Sequence, residues 1–267
     1  MNVIVVGPKG KMGRAITRIA EERSDMTLLA GVGPKGRAYI GQDIGEVAML
    51  GKSLGKPIVD DLEAVIEDCD VIIDFSTKET ALQVLALAKQ YRTAVVCGTT
   101  GFSEEEMQQF KKAGEHIPVL YAANTSKLVN LMNQLLKLAA NTIGDQTDIE
   151  IVEMHDRTKK DAPSGTSKEM GEIIAEELGK KLKNLAVYGR EGRGEREEGT
   201  IGYHSMRLGD TPSSHTVYFG GVGERLEISH HATDFSCFAS GACDAAVYLA
   251  KQQPGFYSMA DVVSGNY

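Results

Sequence analysis

Asn2 to Val6 reads N-V-I-V-V and runs without a break into G-P-K-G-K-M-G, Gly7 to Gly13. A β-branched run with no polar alternation has to be buried on both faces, so it predicts a parallel strand with helices on either side. Helical periodicity begins at Met12 and runs to about Glu22, which puts the glycines in a strand-to-helix turn. In such a turn bare backbone can approach a pyrophosphate, and the helix N-terminus can stabilise its charge. The spacing is G-x-x-G-x-x-G rather than G-x-G-x-x-G, so an ordinary strand-to-helix turn remains the alternative.

Further apolar runs follow at Met26 to Ala30, Asp70 to Asp74, Ala94 to Cys97 and Val119 to Ala122, with helical stretches at Lys78 to Tyr91 and Ser103 to Glu115. Strand and helix alternating at this spacing predict βαβ units. The pattern changes near Ser126. A long helix (Leu128 to Ile143), a strand (Asp148 to Met154) and a helix (Ser167 to Leu182) come next. Segments at Thr200 to Arg207, His215 to Phe219 and Glu224 to His230 read as antiparallel strands, and an Ala-rich helix (Cys237 to Lys251) closes the pattern. The expected fold class is α/β: an N-terminal Rossmann-type parallel-sheet domain plus a smaller α+β substrate and oligomerisation domain with a mixed or antiparallel sheet. The expected boundaries are 1–126 plus 236–267 for the dinucleotide domain and 127–235 for the second. Gly189 to Gly202, dense in Gly, Glu and Arg, reads as a solvated surface loop.

A net charge of -8 without long basic runs argues against nucleic acid or an anionic membrane surface as partner. Cys69, Cys97, Cys237 and Cys243 lack paired C-x-x-C spacing, so no metal site is expected and reduced thiols are. The chain opens on a strand rather than a secretory signal and has no long uncharged apolar run, which predicts a cytoplasmic protein acting on a small molecule.

On the first domain the candidate cofactor residues are Gly7, Pro8, Lys9, Gly10, Lys11 and Met12. An NAD site usually carries an acid at the end of the second strand; here the stretch reads L-L-A-G-V-G-P-K-G-R. Lys35 and Arg37 stand where a 2′-phosphate could lie, so NADPH is expected, with NADH also accepted; two solvated loop charges are the alternative. Gly98, Thr99 and Thr100, and Ala122, Ala123, Asn124 and Thr125, follow strands at their carboxyl ends and are expected to hold the nicotinamide end.

On the second domain the decisive stretch is Glu150 to Ser167, E-I-V-E-M-H-D-R-T-K-K-D-A-P-S-G-T-S. It sets His155 and Lys159 four residues apart, as candidate catalytic proton donors, ahead of a Pro-Ser-Gly-Thr turn opening a helix. Ser164, Gly165 and Thr166 with the helix N–H groups could bind a carboxylate; a plain N-cap is the alternative, and the two can coexist.

Taken together, these motifs make the chain resemble the bacterial 4-hydroxy-tetrahydrodipicolinate reductase family of the diaminopimelate branch of lysine biosynthesis. The likeness covers essentially the whole chain: Gly7 to Gly13, Asp74-Phe75-Ser76, Cys97 to Gly101, Ala122 to Ser126, E-x-x-E-x-H with K-x-D-A-P-S-G-T, G-R-E-G with G-T-I-G, and Gly223 to His230. The resemblance implies hydride transfer from NAD(P)H to a cyclic dicarboxylated imine. It also implies proton donation at His155 and Lys159, substrate carboxylate binding at Gly165 and Thr166, and a homotetramer built through the second domain.

Three places depart from the family pattern. Asp156 stands where a second histidine that helps hold a substrate carboxylate is usual, Lys127-Leu128 replaces a small residue and Gly, and Ser213-Ser214 replaces the Gly-Glu before His215. They keep open a related NAD(P)H-dependent imine reductase or amino-acid dehydrogenase acting on another carboxylated imine. A catalytically dead NADPH sensor is disfavoured by the retained His155 and Lys159.

Overall fold

Alternate residues of the first strand, β1 (Asn2–Val6), enter two different cores. Val3 and Val5 pack with Ile73, Val96 and Leu120, while Ile4 and Val6 pack with Ile72, Val95 and Val119. A strand apolar on both faces is stable only where helices cover both. The computed structural model describes residues 1–265 and divides them into two units, one formed by Met1–Lys127 with the residues from Phe235 onward, the other by Leu128–Asp234.

After β1 the first unit continues with α1 (Lys11–Glu22), β2 (Thr27–Val32), α2 (Ile44–Val47), β3 (Ile58–Val59), β4 (Val71–Asp74), α3 (Lys78–Tyr91), β5 (Ala94–Cys97), α4 (Glu104–Gly114) and β6 (Pro118–Tyr121). The second unit holds α5 (Lys127–Ile143) from Leu128 on, β7 (Asp148–His155), α6 (Gly165–Glu177), β8 (Ala186–Tyr188), β9 (Ile201–Arg207), β10 (Ser213–Gly220) and β11 (Arg225–Ala232). The chain then returns to the first unit with α7 (Ser236–Leu249), β12 (Gly255–Tyr257) and α8 (Met259–Ser264).

The first unit is a seven-stranded parallel sheet in the order β12-β6-β5-β4-β1-β2-β3. Helices α1 and α7 supply one core, and α3 and α4 the other. The Ala-rich α7 sits close because Gly241 has no side chain: a Cβ there would lie 1.7 Å from the Thr125 carbonyl oxygen. The Thr125 hydroxyl donates to the Phe238 carbonyl at 2.7 Å, and Asp244 accepts from Arg23 at 2.7 Å and pairs with Lys127 at 2.9 Å. No helix among the described residues is long and apolar enough to cross a membrane.

The second unit is a five-stranded sheet, β11-β10-β7-β9-β8, whose helices α5 and α6 pack on the same face. Reading Thr200 to Arg207 as antiparallel needs correction. β10 is antiparallel to β7 and β11, but β9 runs parallel to both β7 and β8, because α6 returns the chain to the same end of the sheet before β8 and the 189–200 stretch returns it there again before β9. Helix α6 also ends earlier than its periodicity suggested, since Gly179 takes a positive φ of 66° just beyond Leu178.

The Gly-rich stretch after β8 has no regular structure, yet it is tied down rather than merely solvated. Glu150 accepts from Arg190 at 2.9 and 2.6 Å and from Arg196 at 3.1 Å, lies 2.8 Å from His204 Nε2, and has Gly202 under its carboxylate, where a Cβ would come within 1.9 Å. Burial alone would raise the Glu150 carboxyl, but the Arg190, His204 and Arg196 hydrogen bonds outweigh it and hold it at about 2. A depressed carboxyl adds stability above its unfolded value and loses it as pH falls toward the folded one. Urea midpoints measured at pH 7 and through the range from about 4.5 down to 2 should therefore show a wild-type loss that Glu150→Gln reduces, the variant being the less stable protein at pH 7.

Candidate functional site

Each unit carries its own cluster of the sequence-predicted residues. In the first, Gly7 takes φ +80° where a Cβ would press within 2.6 Å of the Phe75 carbonyl oxygen, and a Cβ on Gly13 would lie 2.1 Å from the Gly7 oxygen. These two glycines let the turn fold flat against the next loop and against α1, whose N-terminus at Gly10 has no side-chain cap. Beside the turn is a cleft of about 780 Å³ lined by Gly7, Lys9, Gly10, Lys35 and Arg37. Pro8 is buried against the position of Gly31, Met12 packs on the first core, and Lys11 Nζ sits 3.1 Å from the centre of the Phe235 ring. Of the turn's side chains only Lys9 therefore lines the cleft, where it also lies 5.0 Å from the centre of the Tyr39 ring.

Tyr39, Asp60, Asp61 and Ser76 also line this cleft and were missed from sequence. Ser76 had a signal, since D-F-S directly follows a buried strand. Asp60 and Asp61 follow β3, two residues long and too short to be read as a strand.

The other expected cofactor residues lie along the same strand ends but outside that cleft. Thr99 is buried: its hydroxyl donates to Asp74 Oδ2 at 2.8 Å and accepts from the Ser76 N–H at 3.0 Å. Ser76 Oγ donates to Asp74 Oδ1 at 2.5 Å, so the wholly buried Asp74 ties the loops after β4 and β5 together. Burial pushes the Asp74 carboxyl up, against hydrogen bonds from Ser76, Thr99 and Cys97. Gly98 gives room to the Phe75 ring, which a Cβ would approach to 2.1 Å, and Thr100 is exposed. After β6, Ala122 is buried, Ala123 exposed, Asn124 Oδ1 accepts from the Ser126 N–H at 2.9 Å, and Thr125 is bonded to α7.

In the second unit the sequence-predicted groups gather at the carboxyl end of β7. His155 is the last residue of that strand, and its Nδ1 lies 2.5 Å from Glu153 Oε2. Lys159 Nζ pairs with Asp161 at 2.8 Å. Ser164, preceded by a cis Ala162–Pro163 bond, is the N-cap of α6 and accepts from the Ser167 N–H at 3.2 Å. Its hydroxyl also lies 3.1 Å from His215 Nε2, so the Ser164 side chain is committed to the protein. Gly165 and Thr166 form the first turn of α6, and beyond Gly165 there is open space where a Cβ would be. Asp156 turns into its own loop, with Oδ1 accepting from the Thr158 N–H at 2.8 Å and from the Thr158 hydroxyl.

His215 packs edge-on to His155, ring centres 5.2 Å apart, and burial followed by repulsion from His155 pushes it down to about 3, so it is neutral at pH 7. With Ser164 on its Nε2, its buried Nδ1 has no hydrogen-bond partner. Burial would raise Glu153, but hydrogen bonds from His155, Arg207 and Ser205 hold it at about 2. An ionised carboxylate only accepts, so His155 Nδ1 must carry the proton and Nε2 is left to exchange one with a ligand. A second hollow, about 620 Å³, lies at the opposite end of β7 and contains none of these groups. Among the described residues no cluster of three or more His, Cys, Asp or Glu could hold a metal.

Comparison with known proteins finds relatives over both halves of the chain. Residues 1–125 match the family model for the N-terminus of dihydrodipicolinate reductase and residues 128–263 the model for its C-terminus. The chain is 45% identical over 262 residues to the 4-hydroxy-tetrahydrodipicolinate reductase of Hahella chejuensis and 46% identical over 263 residues to that of Pseudomonas fluorescens, in each case over 98% of both chains. Among solved structures it resembles the dipicolinate-bound dihydrodipicolinate reductase of Paenisporosarcina sp. TG-14, with 27% identity, a TM-score of 0.77 and 97% of each chain covered. The amine dehydrogenase of Mycobacterium smegmatis, at 12% identity and a TM-score of 0.65, shares the fold. With its two halves matched in turn by the N- and C-terminal models and full-length relatives at 45–46% identity, this chain belongs to the dihydrodipicolinate reductase family.

Proposed function

We propose that this protein is an NAD(P)H-dependent oxidoreductase that reduces 4-hydroxy-tetrahydrodipicolinate to tetrahydrodipicolinate in the diaminopimelate branch of lysine biosynthesis, in the cytoplasm. The observation that carries this reading is the grouping of His155, Lys159 and the open first turn of α6 at one end of a single sheet. That grouping offers proton donors beside a carboxylate site, which is what a dicarboxylated imine needs once it has accepted hydride.

A bound dihydronicotinamide supplies the hydride. The chain's residues do the rest. The Gly7–Gly10 turn accepts a pyrophosphate against the α1 N-terminus. Lys35 and Arg37 line the same cleft and favour the 2′-phosphate of NADPH, while Asp60 and Asp61 on that lining offer acceptors for the ribose hydroxyls of NADH. The loops at Gly98–Thr100 and Ala122–Thr125, held in shape by Asp74 and α7, would hold the nicotinamide end. Gly165 and Thr166 hold a substrate carboxylate through backbone N–H groups and the α6 dipole. Loss of the 4-hydroxyl as water leaves a conjugated imine; hydride accepted at the ring carbon that bore the hydroxyl turns it into an enamine-like anion, and Lys159, tuned or relayed by His155 Nε2, protonates the adjacent carbon.

Asp156 favoured another carboxylated imine as substrate because an anion there would repel a carboxylate. Its Oδ1 is used within the 156–158 turn, which removes most of that objection. A homotetramer built through the second unit is supported by the sheet face opposite α5 and α6, where Val152, Met154, Met206 and Tyr218 are partly or well exposed.

The test supplies purified protein with the product of the preceding synthase and follows NADPH oxidation; absence of turnover with intact NADPH binding would sink the substrate assignment. Lys159→Ala should lower kcat at least ~100-fold and leave NADPH affinity unchanged, as for loss of a general acid. Titration calorimetry on the Lys35→Ala, Arg37→Ala double variant should show NADPH binding weakened ~10-fold or more with NADH little changed, since exposed cations act chiefly on the extra phosphate.

A further inference from the structure

The groups proposed for proton transfer, His155 and Lys159, are joined through two further residues, Glu153 and Arg207. The Glu153 side chain has no solvent exposure. Its Oε2 takes His155 at 2.5 Å and Arg207 Nη1 at 2.8 Å; its Oε1 takes Arg207 Nη2 at 2.7 Å and the Ser164 N–H at 3.3 Å. Arg207 Nη2 also donates to the Asp161 carbonyl at 2.6 Å, and Nη1 to the Met206 carbonyl at 2.6 Å. Asp161 in turn holds Lys159. One connected chain thus runs His155, Glu153, Arg207, Asp161, Lys159.

Arg207 has a distinct task in that chain. A buried carboxylate without a cation would be neutralised, and a protonated Glu153 could donate to His155 and invert which ring nitrogen carries the proton. The guanidinium keeps it an acceptor. Its two terminal nitrogens make four bonds, two as a fork on one carboxylate and two to carbonyls on different segments. A lysine ammonium, a single point with three donors, cannot reproduce this.

We infer that Arg207 is a positioning residue for proton transfer: through Glu153 it sets the tautomer of His155, and through the Asp161 carbonyl it sets the place of the loop that holds Lys159. This rests on the reduction proposed above. Arg207 touches no reacting atom in this role, so its removal should act on kcat and on the imidazole while leaving NADPH binding intact.

The experiment combines kinetics with nitrogen-15 NMR of the imidazoles. In the wild type at pH 7, His155 should show a protonated Nδ1, and in Arg207→Ala and Glu153→Gln that signature should change. Arg207→Ala should lose at least ~30-fold in kcat with NADPH Kd within about 2-fold. About 10 mM guanidinium ion should restore part of that loss, whereas Arg207→Lys should remain impaired. A wild-type His155 with a bare Nδ1 would overturn the inference without any variant, as would an Arg207→Ala enzyme with full kcat, with a loss confined to KM, or with no response to guanidinium. Should Arg207→Ala not fold, Glu153→Gln decides by the same kcat and imidazole measurements. If the wild type does not reduce the synthase product, the substrate assignment falls, and the imidazole spectra of the variants decide Arg207's role.

Discussion

A carboxylate taken out of water has to be answered where it sits, and each unit of this protein places one at the carboxyl end of a strand. Asp74, wholly buried after β4, has hydroxyl and thiol donors but no cation among its hydrogen-bond partners, and burial pushes its carboxyl up. Glu153, near the end of β7, has the Arg207 fork and the His155 ring, and is held low. The two answers give two kinds of joint. The first fastens neighbouring loops beside the glycine turn. The second fixes a histidine tautomer, a helix start and a lysine-bearing loop in one network.

Much of this was legible in the sequence because the signals were local. β-branched runs buried on both faces announced the parallel sheet, and the turn from Gly7 to Gly13 lies where a strand hands over to a helix. His155 and the Ser164–Thr166 turn sit within a dozen residues of each other, so their grouping could be read from spacing alone. What could not be read depended on distance along the chain or on very short elements. Arg207 meets Glu153 across 54 residues, and Asp244 answers both Arg23 and Lys127 from a helix that returns late. The strands β3, β8 and β12 have two or three residues each and leave no periodicity to detect. The parallel direction of β9 follows from two successive return crossovers, α6 before β8 and the 189–200 stretch before β9, which alternation within the strand does not encode.

The departures from the family pattern also take a physical form. Lys127, standing for a small residue, pairs with Asp244 within the first unit, where Arg23 already meets the same carboxylate. Asp156, standing for a histidine, spends one oxygen on its own turn. Ser214 lies 3.0 Å from His231 on the neighbouring strand, paired across the β10–β11 ladder. Each substitution is absorbed locally, and the His155, Lys159 and Gly165 arrangement is left intact.

The chemistry of both units meets in one event, direct delivery of hydride from the nicotinamide to a ring carbon of the dicarboxylated imine. Mass spectrometry of the product formed with NADPH carrying deuterium at the transferable position of nicotinamide C4 tests it most directly. The expected result is a single deuterium bonded to ring carbon in tetrahydrodipicolinate and none in the water. Unlabelled product, or deuterium released to solvent, would contradict it.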